Sequence, residues 1–441
     1  MSDVLIYLLS TAIVLGLMIL VHEWGHFMVA RAFGVRVDIF SIGFGPRLWG
    51  RKKGDTDYRI SALPLGGYVK MAGDNPSEER TGDAAEFLSK PRWQRAIIAI
   101  AGPAMNIVAA VFILATMFMV VGEGRPKFYD QAAEIAAVSR KSSAESSGIR
   151  AGDRIADING VAVATWGQAL ERMSALLPEN EISVKLERGD TSYTVELKPK
   201  TPFDLSDALG YPRDPVIILE VSGGMPARAA GMKEGDEIIA INGAPLVSWS
   251  QCVAAIRGSK GELIQFDLKR GEETVQVFVK PVLGRSEQGG PAWQIGLRNR
   301  PNLVYTRLAP IPAVMQSLVR TRDFSTLIIT TVSQLFTGRV ALREMGGVIE
   351  ISYQAGQAAK RGPVELFFFM AAISLNLGIL NLLPIPILDG GHILMLSIEG
   401  IRRKDLSLAM KERFVQVGMV FLLVVFAIVM YNDVLKRLPH R

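Results

Sequence analysis

Four long apolar segments constrain this 441-residue chain more than any other feature. They contain no Asp, Glu, Lys, Arg or His and cover residues 4–21, 96–122, 366–388 and 414–432. Each is long enough to cross the hydrocarbon core of a bilayer, about 30 Å thick, as an α-helix. Residues 123–365, between the second and third segments, are polar enough to form water-soluble domains. The sequence therefore predicts a multi-pass membrane protein with a large soluble insertion.

Basic residues indicate how the chain crosses the membrane. They are concentrated in the loop between the first two apolar segments and in the loop between the last two, namely Arg31, Arg36, Arg47, Arg51, Lys52, Lys53, Arg59, Lys90, Arg92, Arg95, Arg402, Arg403, Lys404, Lys411 and Arg413. The positive-inside rule makes both loops cytoplasmic and places the insertion and both termini outside. Since no basic residue precedes the first segment, we expect a retained membrane helix, not a cleaved signal peptide.

The remaining composition excludes several classes of protein. The net charge is +6, but the basic residues are distributed by membrane topology and do not form one long tract, so no nucleic-acid partner is predicted. The single cysteine, Cys252, excludes an intrachain disulfide and a cysteine-rich zinc finger. No Gly-x-x-x-x-Gly-Lys motif is present, so we do not expect an ATP-driven machine.

The soluble insertion contains an internal repeat. GIRAGDRIADINGVAVATW begins at Gly148, and GMKEGDEIIAINGAPLVSW begins 83 residues later at Gly231. Alternating apolar residues followed by Asn-Gly predict a strand and a tight turn in each copy. The repeated pattern resembles PDZ domains, which implies that each copy binds an extended peptide by adding it to a sheet edge. The alternative is that the repeats are spacers without a ligand.

The strongest chemical motif is His22-Glu23-Trp24-Gly25-His26, at the end of the first apolar segment. Residues four apart lie on one face of a helix, so His22 and His26 are expected to bind one Zn²⁺. Zinc lowers the pKa of a coordinated water to about 7, and Glu23 would remove its proton during attack on a peptide carbonyl. The alternative is a structural ion or a polar contact between helices.

The third apolar segment offers the missing zinc ligand. It contains Asn381, Pro384 and Pro386 and is followed directly by Asp389. The prolines cannot continue a regular helix, so we expect an extended stretch at membrane depth, with Asp389 as the third ligand. The alternative is a proline-kinked span with an aspartate at the membrane interface.

His-Glu-x-Gly-His in the first segment, together with Asn-x-x-Pro-x-Pro-x-x-Asp-Gly in the third, resembles the site-2 intramembrane metalloproteases. The resemblance extends over nearly the whole chain. It implies that His22, His26 and Asp389 bind zinc and that Glu23 is the general base. It also implies that Asn381 positions the substrate or the oxyanion, and that the Pro384 to Pro386 stretch contacts substrate.

Residues 37–71 contain short β-type runs separated by glycine and proline. By the same resemblance they form a membrane-dipping β-hairpin whose loop of Gly43, Phe44 and Gly45 lies near the substrate. The alternative is an interfacial loop that only anchors the fold. Residues 325–354 are moderately apolar and are expected to form helices against the outer membrane surface.

The predicted fold is therefore a multi-domain membrane protein with four transmembrane helices, a membrane-associated β-hairpin region and two external PDZ-like α/β domains. The predicted boundaries are 1–122 for the first two spans with the zinc motif and hairpin, 123–205 and 206–285 for the two PDZ-like domains, 286–364 for an external membrane-associated segment, and 365–441 for the last two spans.

We expect an intramembrane zinc protease that cleaves single-pass membrane proteins. The resemblance implies anti-sigma-E factors and signal-peptide remnants as substrates, in a bacterial inner membrane with the PDZ-like region and both termini periplasmic. A receptor or scaffold with a purely structural metal is the main alternative, and catalytic turnover would distinguish the two. A metal transporter is weaker, because the spans carry too few ligands to line a path across the membrane.

Overall fold

The computed structural model describes residues 3–74, 82–138, 142–176, 181–197, 209–285, 291–300, 302–337 and 346–437. The chain divides into two compact units, Met1–Glu123 with Arg307–Arg441, and Gly124–Thr306. The described helices are α1 (Asp3–Ala32), α2 (Arg92–Val120), α3 (Ser143–Ser146), α4 (Trp166–Leu176), α5 (Pro226–Ala229), α6 (Trp249–Gly258), α7 (Pro310–Phe336), α8 (Val348–Arg361), α9 (Pro363–Asn381), α10 (Asp389–Arg402) and α11 (Leu408–Arg437).

The described strands are β1 (Val37–Lys53), β2 (Thr56–Met71), β3 (Glu123–Pro126), β4 (Arg154–Ile158), β5 (Val161–Ala162), β6 (Ile182–Arg188), β7 (Thr191–Leu197), β8 (Val216–Val221), β9 (Glu237–Ile241), β10 (Ala244–Pro245), β11 (Ile264–Arg270), β12 (Glu273–Val279), β13 (Val282–Arg285), β14 (Pro291–Gln294), β15 (Leu297–Arg300) and β16 (Leu303–Thr306).

The first unit contains the predicted spans. Four of its helical segments are long and apolar enough to cross a membrane: Asp3–Ala32, Arg92–Val120, Pro363–Asn381 and Ala409–Val434. This confirms the prediction of four membrane-capable helices. Helix α2 lies between α1, α7 and α9, and its Leu114 and Phe118 pack against Ala313 of α7 and Ala371 of α9.

Strands β1 and β2 form one antiparallel pair that bends back on itself. Phe40 pairs with both Val69 and Tyr58, so residues 37–42 lie between residues 67–71 on one side and residues 57–60 on the other. Residues 47–53 pair with residues 56–61 and complete the sheet. The bend occurs at Gly43 and Gly45, whose φ angles of +89° and +88° are accessible to glycine and strained for other residues. Its location in a membrane stays a prediction.

Helices α7 and α8 include much of the region expected to lie on the outer membrane surface, although residues 338–345 of that region lie outside the described residues. Helix α7 packs against α2 and exposes apolar side chains along its length, with Ile311 78% exposed and Met315 59% exposed. An exposed apolar face of this kind is consistent with lipid contact. That these helices lie on the outer membrane surface stays a prediction.

In the second unit, the two copies of the repeat have matching elements. The first has the strand order β5-β4-β6-β7, and the second has β12-β11-β9-β8-β15, with β10 paired to β9. Helices α4 and α6 occupy the same position in the two sequences, after β5 and β10. Each copy has its own core, built around Trp166 in the first and Phe266 in the second.

The Asn-Gly pairs form the predicted tight turns. Asn159 and Gly160 have φ angles of +50° and +73°, and Asn242 and Gly243 have +51° and +74°. Positive φ at both central residues suits the twist of a short hairpin. The side chains also connect the turns to the next strand: Asn159 Oδ1 accepts from the backbone N–H of Ser183 at 2.7 Å. The strand-and-turn prediction for both copies is thus confirmed.

The Gly-Asp of each copy has a structural role. The buried carboxylate of Asp153 accepts hydrogen bonds from the Arg188 guanidinium at 2.6 and 2.8 Å, and Asp236 accepts from Arg270 at 2.7 Å. Each arginine also donates to the carbonyl oxygen of the first glycine in its repeat: Arg188 to Gly148 and Arg270 to Gly231, both at 2.9 Å. These bonds join the Gly-x-x-x-Gly-Asp loop to the end of β6 or β11.

Residues that follow the predicted ends of the two domains pack or pair with the repeats. Leu209 is buried in the core of the first repeat and Tyr211 pairs with Ala137, although the predicted domain ended at residue 205. Strand β15 pairs with β8, although the second domain was predicted to end at residue 285. In each case a segment that follows the repeat's last hairpin pairs with the residues at the start of that repeat. Sequence periodicity did not reveal it, because the returning segment follows the final hairpin. The predicted domain boundaries stay predictions.

We expect Asp236→Asn to destabilise the second repeat by about 2 kcal/mol, because it removes charged hydrogen bonds from a buried site. Burial raises the pKa of Asp236, but the hydrogen bonds from Arg270 more than offset this and hold it below its ordinary 3.8. The pair's contribution is therefore present above about pH 4 and is lost as the pH falls through the lowered pKa. Hydrogen exchange of β9 and β11 in the full chain measures this.

Asp267→Asn is the matched control, because the Asp267 carboxylate accepts hydrogen bonds only from the side chains of Gln265 and Gln276 among the described residues. Equal loss of exchange protection in both variants would contradict a specific role for the Asp236 to Arg270 contact.

Candidate metal centre and active site

Helices α1 and α2 approach closely where the His-Glu-x-Gly-His motif lies. A β-carbon at Gly25 would collide with the backbone oxygen of Ala101. On the facing helix, a β-carbon at Gly102 would collide with the Nε2 atoms of both His22 and His26. Small residues allow helix backbones in a membrane to approach one another. The two glycines therefore make room for two imidazoles between the helices.

His22, His26 and Asp389 converge on one point. The two Nε2 atoms are 3.1 Å apart. His22 Nε2 lies 3.1 Å from Asp389 Oδ2, and His26 Nε2 lies 3.5 Å from Asp389 Oδ1. Among the residues that the structure describes, these three form the sole group of at least three His, Cys, Asp or Glu side chains with metal-binding geometry. The structure thus brings together the residues that sequence analysis predicted as zinc ligands.

Neighbouring groups orient the two imidazoles. His26 Nδ1–H donates to the carbonyl oxygen of Ile98 at 2.7 Å, which leaves Nε2 with its lone pair towards Asp389. The amide of buried Asn106 lies 3.3 Å from His22 Nδ1, with its nitrogen nearest and its Oδ1 without a hydrogen-bond partner. A half-turn of this amide would let Oδ1 accept from Nδ1–H and satisfy both groups. His22 Nε2 would then also be available to a metal.

The donor set fits Zn²⁺. Ligand atoms about 2.0–2.1 Å from a tetrahedral zinc ion lie about 3.3 Å from one another. The three separations of 3.1, 3.1 and 3.5 Å bracket that value. Two imidazoles and one carboxylate also form an established ligand set for catalytic zinc, which keeps a fourth position open.

Glu23 lies beside this cluster and contacts the β-sheet. Its Oε2 accepts a hydrogen bond from the backbone N–H of Val69 at 3.1 Å, and its half-buried side chain lines the same cavity as both histidines. Oε1 forms no hydrogen bond with any residue in the described part of the chain. The backbone of β2 therefore fixes one carboxylate oxygen, and the other accepts no hydrogen bond from the described residues.

A compact connection between α9 and α10 places Asp389 beside the two histidines. Helix α9 ends at Asn381, and Asp389 begins α10. The connection consists of tight turns, such as Ile385 N–H to Leu383 O at 2.7 Å, and not the extended stretch that the prolines predicted. A β-carbon at Gly390 or Gly391 would collide with the backbone of this connection, so its turns pack directly on the start of α10.

Backbone strain is present in that turn. Ile387, two residues before Asp389, has a φ angle of +82°, which is rare and unfavourable for a β-branched residue. Such outliers persist where surrounding packing holds them, and they concentrate at functional sites. Here the strained residue also lines the cavity next to the metal cluster.

A cavity of about 820 Å³ opens onto the cluster. Its lining includes the metal cluster and Glu23, the edge of the sheet at Tyr68 and Val69, Asn381 and His392, and the start of α11. This volume accommodates several residues of an extended peptide. His392 lies one helical turn after Asp389 and is exposed within the cavity.

Only one of the predicted substrate-binding residues lines the cavity. Asn381 lines the cavity, whereas Gly43, Phe44, Gly45, Pro384 and Pro386 are not among its lining residues. Phe44 stacks on Tyr68, with ring centroids 6.0 Å apart, and Tyr68 does line the cavity. Pro386 instead packs on α11, where a β-carbon at Gly418 would collide with it. The roles of these residues stay predictions.

Sequence reasoning missed two contributors to the site. Asn106 was detectable, because it is one of the few polar residues in the second apolar segment and follows Gly102-Pro103 by one helical turn. Val69 was not detectable, since its contact with Glu23 uses a backbone N–H that any residue other than proline carries.

The chain is similar to several known proteins. The family model of peptidase family M50 matches residues 10–425. A relative from Neisseria meningitidis that carries the name of a zinc metalloprotease is 31% identical, over 97% of this chain and 99% of its own. The regulator of sigma-E protease RseP of Escherichia coli is 31% identical, over 97% of this chain and 98% of its own. A solved PDZ domain of an SdrC-like protein from Listeria innocua covers 22% of this chain and 100% of its own, with 25% identity and a TM-score of 0.17.

We expect Gly102→Ala to weaken zinc binding about 10- to 100-fold, because the added methyl group displaces both imidazoles. Gly400→Ala is the matched control, since a β-carbon at Gly400 in α10 meets no atom within 4 Å. Zinc content of the two purified variants after dialysis against a graded series of chelator concentrations measures the difference. Equal zinc retention in both would contradict the inferred helix spacing.

Proposed function

The chain belongs to peptidase family M50, as a zinc metalloprotease of the site-2 type, and we propose that it cleaves single-pass membrane proteins within or beside their transmembrane helices. The convergence of His22, His26 and Asp389 next to Glu23 is the observation that carries this proposal. We infer that the two histidines and the aspartate bind Zn²⁺. When bound, zinc supplies Lewis acidity, which acidifies water and polarises a carbonyl group.

The residues of the chain perform the remaining steps. Glu23 Oε1 accepts the proton of the attacking water while the Val69 N–H holds Oε2, and Glu23 then delivers that proton to the departing amine nitrogen. Asn381 donates from its side-chain amide to the substrate backbone or the developing oxyanion. The location of Asn381 in the cavity wall supports this role.

The substrate backbone needs new hydrogen bonds once its helix unwinds. We propose that it pairs with residues 66–71, which lie at an edge of the sheet and line the cavity at Tyr68 and Val69. Strand addition satisfies freed N–H and C=O groups inside an apolar layer. The Gly43 to Gly45 loop acts through Phe44, whose ring stacks on Tyr68, and the Pro384 to Pro386 turn holds Asp389 in place.

The relatives and the predicted topology support a proposal for the cellular setting. We propose an inner-membrane location, with the insertion and both termini periplasmic, and with the β1–β2 sheet dipping into the membrane. The two repeats act as PDZ-like domains that restrict access or bind extended peptides. By analogy with the relative named as a regulator of sigma-E protease, we propose anti-sigma-E-type membrane proteins as substrates, together with signal-peptide remnants.

Glu23→Gln tests the mechanism. We expect zinc content to remain and cleavage of a single-span substrate in proteoliposomes to fall at least about 100-fold, because the amide cannot accept the proton of water. Glu365→Gln, in the first turn of α9, is the control for removing an acidic side chain. Undiminished cleavage by a zinc-loaded Glu23→Gln protein would refute the general-base role.

Substrate size tests the role of the repeats. We expect single-span substrates with a short external segment to be cleaved at least about 10-fold faster than the same spans carrying a folded external domain, because a bulky domain collides with the insertion. Rates for the matched substrate pairs in proteoliposomes measure this. Equal rates for the two sets would argue against size selection and leave the catalytic proposal intact.

A further inference from the structure

One face of α1 follows the β1–β2 sheet along its length. Residues four apart share a helix face, and four such residues contact the sheet in turn: Ile19, Glu23, Phe27 and Arg31. At about 1.5 Å per residue they cover about 18 Å of helix. These contacts fix the depth of each part of the sheet relative to α1.

The half of this face nearer the N-terminus of α1, here called the upper half, contacts the sheet near the active site. A β-carbon at Gly66 would lie 3.3 Å from the Ile19 side chain. One turn further on, Glu23 accepts from the Val69 N–H. The bend of the sheet therefore lies beside the apolar segment 4–21, at or above the depth of the metal cluster.

The lower half of the face meets the opposite end of the sheet. The Phe27 ring lies 5.1 Å from Phe40 and 5.9 Å from Tyr58, measured between ring centroids. Arg31 Nη1 donates to the Tyr58 hydroxyl at 3.4 Å. This end of the sheet is thus level with the last turn of α1, where the predicted cytoplasmic loop begins.

The two ends of the sheet differ in chemistry. The upper end exposes large apolar side chains, namely Ile42, Phe44, Leu48, Trp49, Ile60 and Leu63. Ile60 pairs with both Ile42 and Trp49, so these three residues lie in register across adjacent strands. Leu48 and Trp49 are 69% and 70% exposed. A contiguous exposed apolar patch of this kind is unusual on a surface that faces water and is typical of an interaction surface.

The lower end is basic. Arg51, Lys52 and Lys53 are exposed at the end of β1, and none of them forms an ion pair with a residue in the described ranges. Asp57, which lies opposite Lys52 in the strand pairing, already forms ion pairs with Arg47 and Arg59 at 3.3 Å each. Residues 47–59 contain five basic and two acidic residues, a net charge of +3.

We propose that Arg51, Lys52 and Lys53 form a binding surface for anionic phospholipid headgroups, with Trp49 and its apolar neighbours above them in the acyl-chain region. A basic cluster level with the membrane boundary complements an anionic leaflet, and tryptophan beside it suits the interface. Because the same sheet carries Val69, the lipids that anchor it also hold the backbone N–H that positions Glu23. Activity therefore depends on anionic lipid.

Lipid contact is measured first, without reference to catalysis. The full chain is reconstituted in mixed phosphatidylcholine and phosphatidylglycerol vesicles in which only one of the two lipids is brominated. The Trp49 signal is the fluorescence difference between wild type and Trp49→Phe. We expect brominated phosphatidylglycerol to quench this signal about twofold more per mole than brominated phosphatidylcholine, because the basic cluster enriches it.

The variant R51Q/K52Q/K53Q, paired with its own Trp49→Phe version, removes the charge. We expect it to abolish the excess quenching, whereas R402Q/R403Q/K404Q, which removes three charges from the other predicted cytoplasmic loop, retains it. Loss of the excess in both variants, or in neither, would overturn the proposal. An acidic protein partner in place of lipid would leave brominated phosphatidylglycerol without any excess in wild type.

The activity arm rests on the proposed protease function. We expect cleavage to fall at least about threefold in pure phosphatidylcholine vesicles, and in R51Q/K52Q/K53Q in mixed vesicles, with zinc content unchanged. Equal cleavage in both lipids would refute the coupling to Glu23. Excess quenching with no cleavage under any condition would instead contradict the proposed function and leave the lipid site standing.

Discussion

The rest of the first unit depends on one constraint. Two imidazoles and a carboxylate, which follow two different apolar segments, must lie together. Unpaired, such groups are costly in a membrane. Here each has a partner: His26 bonds to Ile98, His22 lies against Asn106, and both face Asp389. Meeting these requirements brings α1 and α2 into contact at Gly25 and Gly102 and requires the α9 helix to end before Asp389. The architecture near the site follows from satisfying one polar cluster.

Much of the site was predictable because its chemistry depends on spacing. The four-residue interval of His22 and His26 fixes a shared helix face, and Pro384 and Pro386 before Asp389 indicate where the third span must end. The detailed path after Asn381 was not predictable, since proline excludes regular helix without choosing between extended chain and tight turns. The cavity contact of Val69 was equally hidden, because backbone donors leave no mark in a sequence.

The fold of the second unit shows the same division. The Asn-Gly turns and the Gly-Asp loops follow from local preferences, and they recur in both copies. The segments at Tyr211 and β15 join the repeats through pairing between residues far apart in the chain, which sequence periodicity does not report. The repeated Asp-Arg contact explains why Gly-Asp recurs: the buried carboxylate needs a cation, and the nearby strand supplies it in each copy.

Helix α1 serves the metal cluster with one face and the β1–β2 sheet with the adjoining face. A helix turns by about 100° per residue, so one inserted or deleted residue between Ile19 and Arg31 would rotate the contacts that precede it away from those that follow it. No adjustment of side chains would restore both. The length of this stretch of α1 is therefore constrained by geometry, independently of which apolar residues compose it.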